Sequence, residues 1–142
     1  MKLNQAAHDL IGSGANATMV TLNADGSPQV SVVWVALQPG DVDDELVSAH
    51  LSAHLKVRNV RRDGRVALTI VADAAADGAL MRPYLSVTGT ARIVEGGAPE
   101  LLRKLAPVLA GPDSQFPPDD APPGYLTRVT VEKVGGIGPW TS

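Results

Sequence analysis

Apolar residues recur along this chain in short runs, often alternating with polar ones, and glycine, proline and aspartate separate the runs. That is the pattern of strands joined by tight turns. Residues 17–23 alternate weakly and lead into Ala24-Asp25-Gly26-Ser27, which carries the turn chemistry of a hairpin. The β-branched run from Pro28 to Leu37 is the partner strand. Pro39-Gly40-Asp41 then turns the chain into a strand around Glu45 to Leu51. Further strands are predicted at Arg65–Ala72, Tyr84–Val94 and Tyr125–Val134. The last sets Thr127, Val129 and Val131 against Arg128, Thr130 and Glu132.

Helical spacing accounts for much of the remainder. Residues 4–12 read as a short helix closed by Gly12. Ser52 is placed to cap a helix from Ala53 to Arg62, ended by Asp63-Gly64. Pro99 to Leu109 is a third helix, with Leu101, Leu102, Leu105 and Val108 expected on its packed side. Asp73 to Ala79 reads as a small polar loop, residues 110–124 as a loop rich in proline and aspartate, and 135–140 as an irregular tail. About six mainly antiparallel strands with two or three short helices predict a mainly β fold. We expect one domain, residues 1–142, built as a small β-barrel with helices outside it.

Composition narrows the classes. The chain has 142 residues, 44% hydrophobic and 19% charged, enough apolar content for a packed core rather than a disordered tail. No apolar run is long enough to span a bilayer, and residues 1–20 lack a signal-peptide pattern, so a soluble cytoplasmic protein is expected. The sequence has no cysteine, which excludes disulfides and thiolate chemistry. Aromatics supply only 4% of residues, so an aliphatic core would gain from a partner subunit.

The most informative stretch runs from Ser52 to Arg65, where Lys56, Arg58, Arg61, Arg62 and Arg65 account for five of the 12 basic residues. A helix N-terminus following a strand offers free amide donors and the positive end of the helix dipole, which suits a phosphate. Lys56 lies in that first turn. Helical spacing places Lys56 near Asn59, gathers His54, Arg58, Arg61 and Arg62 on another face, and sends Val57 and Val60 to the core. Lys56 is therefore the favoured anion ligand, helped by Arg62 or Arg58. The bland alternative is an outer helix face solvated by its arginines. A net charge of −3 and few aromatics argue against nucleic acid. His8, His50 and His54 lack metal-ligand spacing, and no serine sits in a nucleophile turn. Gln29, Ser31 and Val33 share one face of a strand, an apolar wall with amide and hydroxyl partners for a flat heterocycle, though periodicity alone equally describes an ordinary amphipathic strand.

These residues resemble a known family. Thr21 to Ser31, with its Asn23-Ala24-Asp25-Gly26 turn, looks like the opening hairpin of the pyridoxamine-phosphate-oxidase-like split β-barrel proteins. Lys56-Val57-Arg58-Asn59-Val60-Arg61-Arg62-Asp63-Gly64-Arg65-Val66 resembles their basic segment before a strand. Gly136-Ile137-Gly138-Pro139-Trp140 is similar to the actinobacterial branch called flavin/deazaflavin oxidoreductases, class B. The resemblance runs from about Ala15 to Trp140. It implies a homodimeric split barrel of the FMN-binding type, with cofactor sites at the subunit interface and coenzyme F420, or alternatively FMN, as cofactor. By position it implies Lys56 as phosphate ligand with His54, Arg58, Asn59 and Arg62 near the phosphate and tail. Gln29, Ser31, Val33, His50 and Ser52 would line the ring and its linker, and Tyr84, Pro139 and Trp140 would come from the other chain. The activity implied is hydride transfer from reduced coenzyme F420 to an electrophilic small molecule such as an enone, quinone or tetrapyrrole. Tyr84 and His50 are the weak candidates for proton donor. An FMN-dependent oxidase or reductase and a non-catalytic F420 carrier are the rival readings.

Overall fold

Strand periodicity decides the architecture. In the computed structural model, which describes residues 1–73, 78 and 80–141, strands β1 (Ala15–Leu22), β2 (Pro28–Gln38), β3 (Glu45–His50), β4 (Arg65–Val71), β5 (Tyr84–Glu95) and β6 (Tyr125–Ile137) close into one barrel in the order β1-β2-β3-β6-β5-β4. Every neighbouring pair is antiparallel. The expected mainly β split barrel of six strands is therefore the observed fold. Alternate residues face inward, so Ala17 and Met19 of β1 meet Val33 and Val35 of β2, Leu68 and Ile70 of β4, Leu85 and Val87 of β5, and Val129 and Val131 of β6 in one buried cluster. Each such Val or Leu contributes about 1.5–3 kcal/mol when fully buried.

The described residues also form three helices: α1 (Gln5–Ile11), α2 (Leu55–Arg62) and α3 (Ala98–Leu109). Asn4 caps α1 by accepting from the Ala7 amide at 3.0 Å, and Gly12 ends it with φ 55°. Ala7 and Ile11 of α1 enter the barrel cluster. Asp44, fully buried in the loop before β3, anchors the segment ahead of α1. It accepts from the Leu3 amide at 2.8 Å and from Lys2 Nζ at 2.9 Å, and its Oδ2 lies 3.0 Å from His8 Nε2.

Several boundaries differ from the sequence-based expectation. α2 begins at Leu55, not Ala53, because the His54 amide donates to Ser52 O at 2.9 Å and turns the chain first. His54 is the residue at the cap, and no side chain bonds the first turn, so Ser52 does not cap the helix. On α3 the buried stripe is Ala98, Pro99, Leu102, Leu105 and Ala106, while Val108 is exposed and Leu101 half-buried. At the helical repeat, Leu101 and Val108 lie about 100–120° round from Leu102. β6 continues to Ile137 instead of stopping at Val134. Gly136 adopts φ 100° opposite Leu85, so the glycines that read as an irregular tail extend the ladder. The loop expected at Asp73–Ala79 lies largely outside the described residues.

Candidate functional site

The barrel is split between β2 and β3. These strands pair only over Ala36–Gln38 and Glu45–Val47. Beyond that point β3 stays with β6, from Glu45 to His50, and β2 stays with β1. A cleft of about 300 Å³ opens where they part, lined by Val32, Val33 and Trp34 on one side and Ser48 to Leu51 on the other. α2 contributes His54 and Lys56 to it.

Ser48 and His50 are the buried polar residues of this cleft, and His50, 4% exposed, has Nε2 2.8 Å from Thr127 Oγ1. Burial, helped by the Lys56 and His54 charges, pushes the His50 pKa down to about 4, so the imidazole is neutral at ordinary pH. Lys56 is half-buried in the first turn of α2 and has no carboxylate partner among the described residues. Burial also lowers the Lys56 pKa. A cation held beside uncapped helix amides, without a counter-ion from the chain, suits an anionic group. Ser31 Oγ is buried with no hydrogen-bond partner, an uncommon state for a polar atom. Ser31 is not among the residues that line the cleft, but a cleft of this size with one cation and a neutral imidazole fits a phosphate-bearing planar cofactor.

The profile of the pyridoxamine 5'-phosphate oxidase family matches residues 3–137. The chain belongs to that family. No curated protein sequence matches it. Among solved structures, this family member is similar to an F420 reductase at 25% identity and TM-score 0.70, covering 90% of this chain and 94% of that one. It is similar to a conserved hypothetical protein of Mycobacterium tuberculosis at 22% identity and TM-score 0.67, covering 98% and 91%. It also resembles HupZ of Group A Streptococcus at 18% identity and TM-score 0.65, covering 94% and 98%. The last two likenesses concern the fold.

The structure sorts this family member's expected site residues into groups. Val33, His50, His54 and Lys56 meet in the cleft. Ser52 does not line it but touches His54, its Oγ 3.1 Å from His54 Nε2. Gln29, Asn59 and Arg62 belong to a polar chain behind the cleft. Asn59 Nδ2 donates to Thr21 Oγ1 at 3.0 Å and to Asn23 Oδ1 at 2.9 Å, and Thr21 donates to Gln29 Oε1 at 2.9 Å. Arg62 donates to Asn59 Oδ1 at 3.3 Å and to the Leu22 carbonyl. Asn59 is therefore buried with Val57 and Val60. Arg58 is exposed and Arg61 stacks on the Tyr125 ring at 5.0 Å.

Tyr84, Pro139 and Trp140 do not line this chain's cleft. Trp140 is buried in the chain's own core, with Nε1 donating to the Tyr84 carbonyl at 2.6 Å, and the Pro139 carbonyl accepts from Asn4. Sequence reasoning missed Trp34, Ser48, Leu102 and Phe116 as lining residues. The available signals were a tryptophan continuing the Gln29–Val33 strand and a lone phenylalanine amid prolines. No described helix is long and apolar enough to cross a membrane, and no cluster of His, Asp and Glu among the described residues could hold a metal.

Proposed function

We propose that the chain is a coenzyme F420-dependent oxidoreductase that reduces an electrophilic small molecule, an enone, quinone or tetrapyrrole-like compound. The observation that carries the reading is Lys56, a half-buried cation without a carboxylate partner at the uncapped start of α2, in a cleft that also holds neutral His50. The 25% identity to an F420 reductase over 90% of the chain supports it. When bound, the reduced deazaflavin supplies the hydride.

The chain's own residues bind and orient. Lys56 and the first-turn amides of α2 hold the phosphate. Val33 and Trp34 wall the ring. His50 stays unprotonated at neutral pH, so it acts as a hydrogen-bonding partner fixed by Thr127 and not as an acid. The proton that completes the reduction then comes from solvent or from Tyr84 of the partner subunit.

We also propose that the chain works as a homodimer. On the outer face of β1, β2 and β4, Val30 is 59%, Val32 67% and Val71 55% exposed, and Val30 pairs with Val20, which pairs with Ala67 of β4. Such an apolar sheet face is expected to be covered. In a dimer, Tyr84 and Pro139 of the partner would complete each site.

Titration with coenzyme F420 and separately with FMN, followed by ring fluorescence, tests the reading. Micromolar or tighter binding of F420 with weak FMN binding supports it. Tight FMN binding turns the chemistry to flavin, the second reading, which the same Lys56 site accommodates. Binding of F420 without turnover on an enone and quinone panel marks a carrier. Binding of neither coenzyme overturns the assignment.

A further inference from the structure

The cleft has two unlike walls. α2 brings Lys56 and His54, whereas α3 and the loop after it bring Leu102 and Phe116, which meets Trp34 of β2. Phe116 is the one phenylalanine of the sequence, and it is 43% exposed. Its ring packs edge-on to Trp34, with centroids 6.0 Å apart and planes at 86°, the favoured arrangement for an aromatic pair. The loop that carries it is stiffened by Pro112, Pro117, Pro118, Pro122 and Pro123, which restrict φ. It is also pinned from within. The Ser114 amide donates to Gly111 O at 3.0 Å, the Phe116 amide to Ser114 Oγ at 3.3 Å, and the Ala121 amide to Pro118 O at 3.0 Å. An aromatic ring is thus held against the cleft by a loop with little freedom to lose on binding.

We propose that Phe116, backed by Trp34, is a specificity-determining residue that selects a flat, apolar ring system in the cleft over an open-chain molecule with the same reactive group. A planar ligand gains an aromatic contact that an open chain cannot make, whereas the polar groups at Ser48 and His50 serve both. The inference rests on the oxidoreductase reading for what is done to the ligand, but not for how the ligand is chosen. If Phe116 instead only shields Trp34, its removal affects both kinds of molecule alike.

The test is calorimetric titration of the purified chain and its Phe116→Ala and Phe116→Tyr variants with menadione, a planar quinone, and with mesityl oxide, an open-chain enone. An aromatic contact corresponds to about 2-fold to 12-fold in affinity. The expected result is menadione weakened about 5-fold or more in Phe116→Ala and retained in Phe116→Tyr, with mesityl oxide unchanged within about twofold. Equal loss for both molecules, no loss for menadione, or no menadione binding to the unaltered chain overturns the proposal. Parallel titration with coenzyme F420 and FMN separates the two claims. Failure of both coenzymes to bind defeats the oxidoreductase reading, while the menadione ratio still decides the role of Phe116.

Discussion

Asn59 of α2 donates to Thr21 of β1 at 3.0 Å, and both side chains are fully buried. A second bond to Asn23 and the link from Thr21 to Gln29 tie the helix to the β1–β2 hairpin. This junction fixes the rotation of α2 about its axis, and with it the place of Lys56. Replacing Asn59 leaves buried partners unsatisfied, which costs about 1–3 kcal/mol. Asn59→Ala is expected to lower the unfolding free energy read from urea curves by that amount, with Arg58→Ala changing it by less than about 0.5 kcal/mol. Equal unfolding free energies for the two variants would show that the network does not hold the helix.

Lys56→Ala removes the cation of the cleft. Charge-assisted hydrogen bonds contribute about 1.5–3 kcal/mol, so cofactor affinity is expected to fall by about 10-fold to 100-fold in the fluorescence titration. Thermal stability should hold or rise slightly, because a lysine disfavoured by burial is removed. Unchanged affinity would sink the phosphate assignment.

How much of this was legible in the sequence depends on range. The strands from Pro28 and Tyr84 declare themselves by alternation, a local property. The cleft does not, because it exists where β2 and β3 stop pairing after Ala36 and Val47, which is a matter of long-range register. Helical spacing sets Asn59 one turn from Lys56, but hydropathy cannot show that Asn59 is buried or that Thr21 and Asn23 wait to satisfy it. Phe116 was missed because a proline loop has no periodicity to read. Gly135 and Gly136 looked like a break, yet the positive φ that marks Gly136 is what lets β6 run on to Ile137.

His50 makes stability depend on pH with a definite sign. Its pKa is pushed down to about 4 in the folded chain, against ~6.5 unfolded. The unfolded chain therefore takes up the proton first, and stability is lost as pH falls from about 6.5 towards 4. Asp44 stays ionised in that window. Its burial raises its pKa, but hydrogen bonds from Lys2, the Leu3 amide, His8 and the Gly40 amide more than offset this. Between about pH 7.5 and 4.5, the chain should lose on the order of 2 kcal/mol more than His50→Gln does. Parallel urea curves at the two pH values measure the difference, and identical losses would mean that His50 is not held neutral.

The outer sheet face offers the sharpest test of assembly. Val30 projects from β2 at 59% exposure and does not line the cleft, so Val30→Asp leaves the barrel core and Lys56 in place. Stable association needs about 800 Å² per partner, and a carboxylate set among Val20, Val32 and Ala67 would have to be desolvated unpaired. Light scattering should therefore give the unaltered chain twice its 14.7 kDa mass and the variant a single chain, with the far-ultraviolet circular dichroism of both the same. If the partner subunit completes each site, the variant should also bind the cofactor about 10-fold or more weakly. An unaltered chain that is monomeric at micromolar concentration, or a variant as dimeric as its parent, would remove this face from the interface and leave the cleft to be completed by one chain alone.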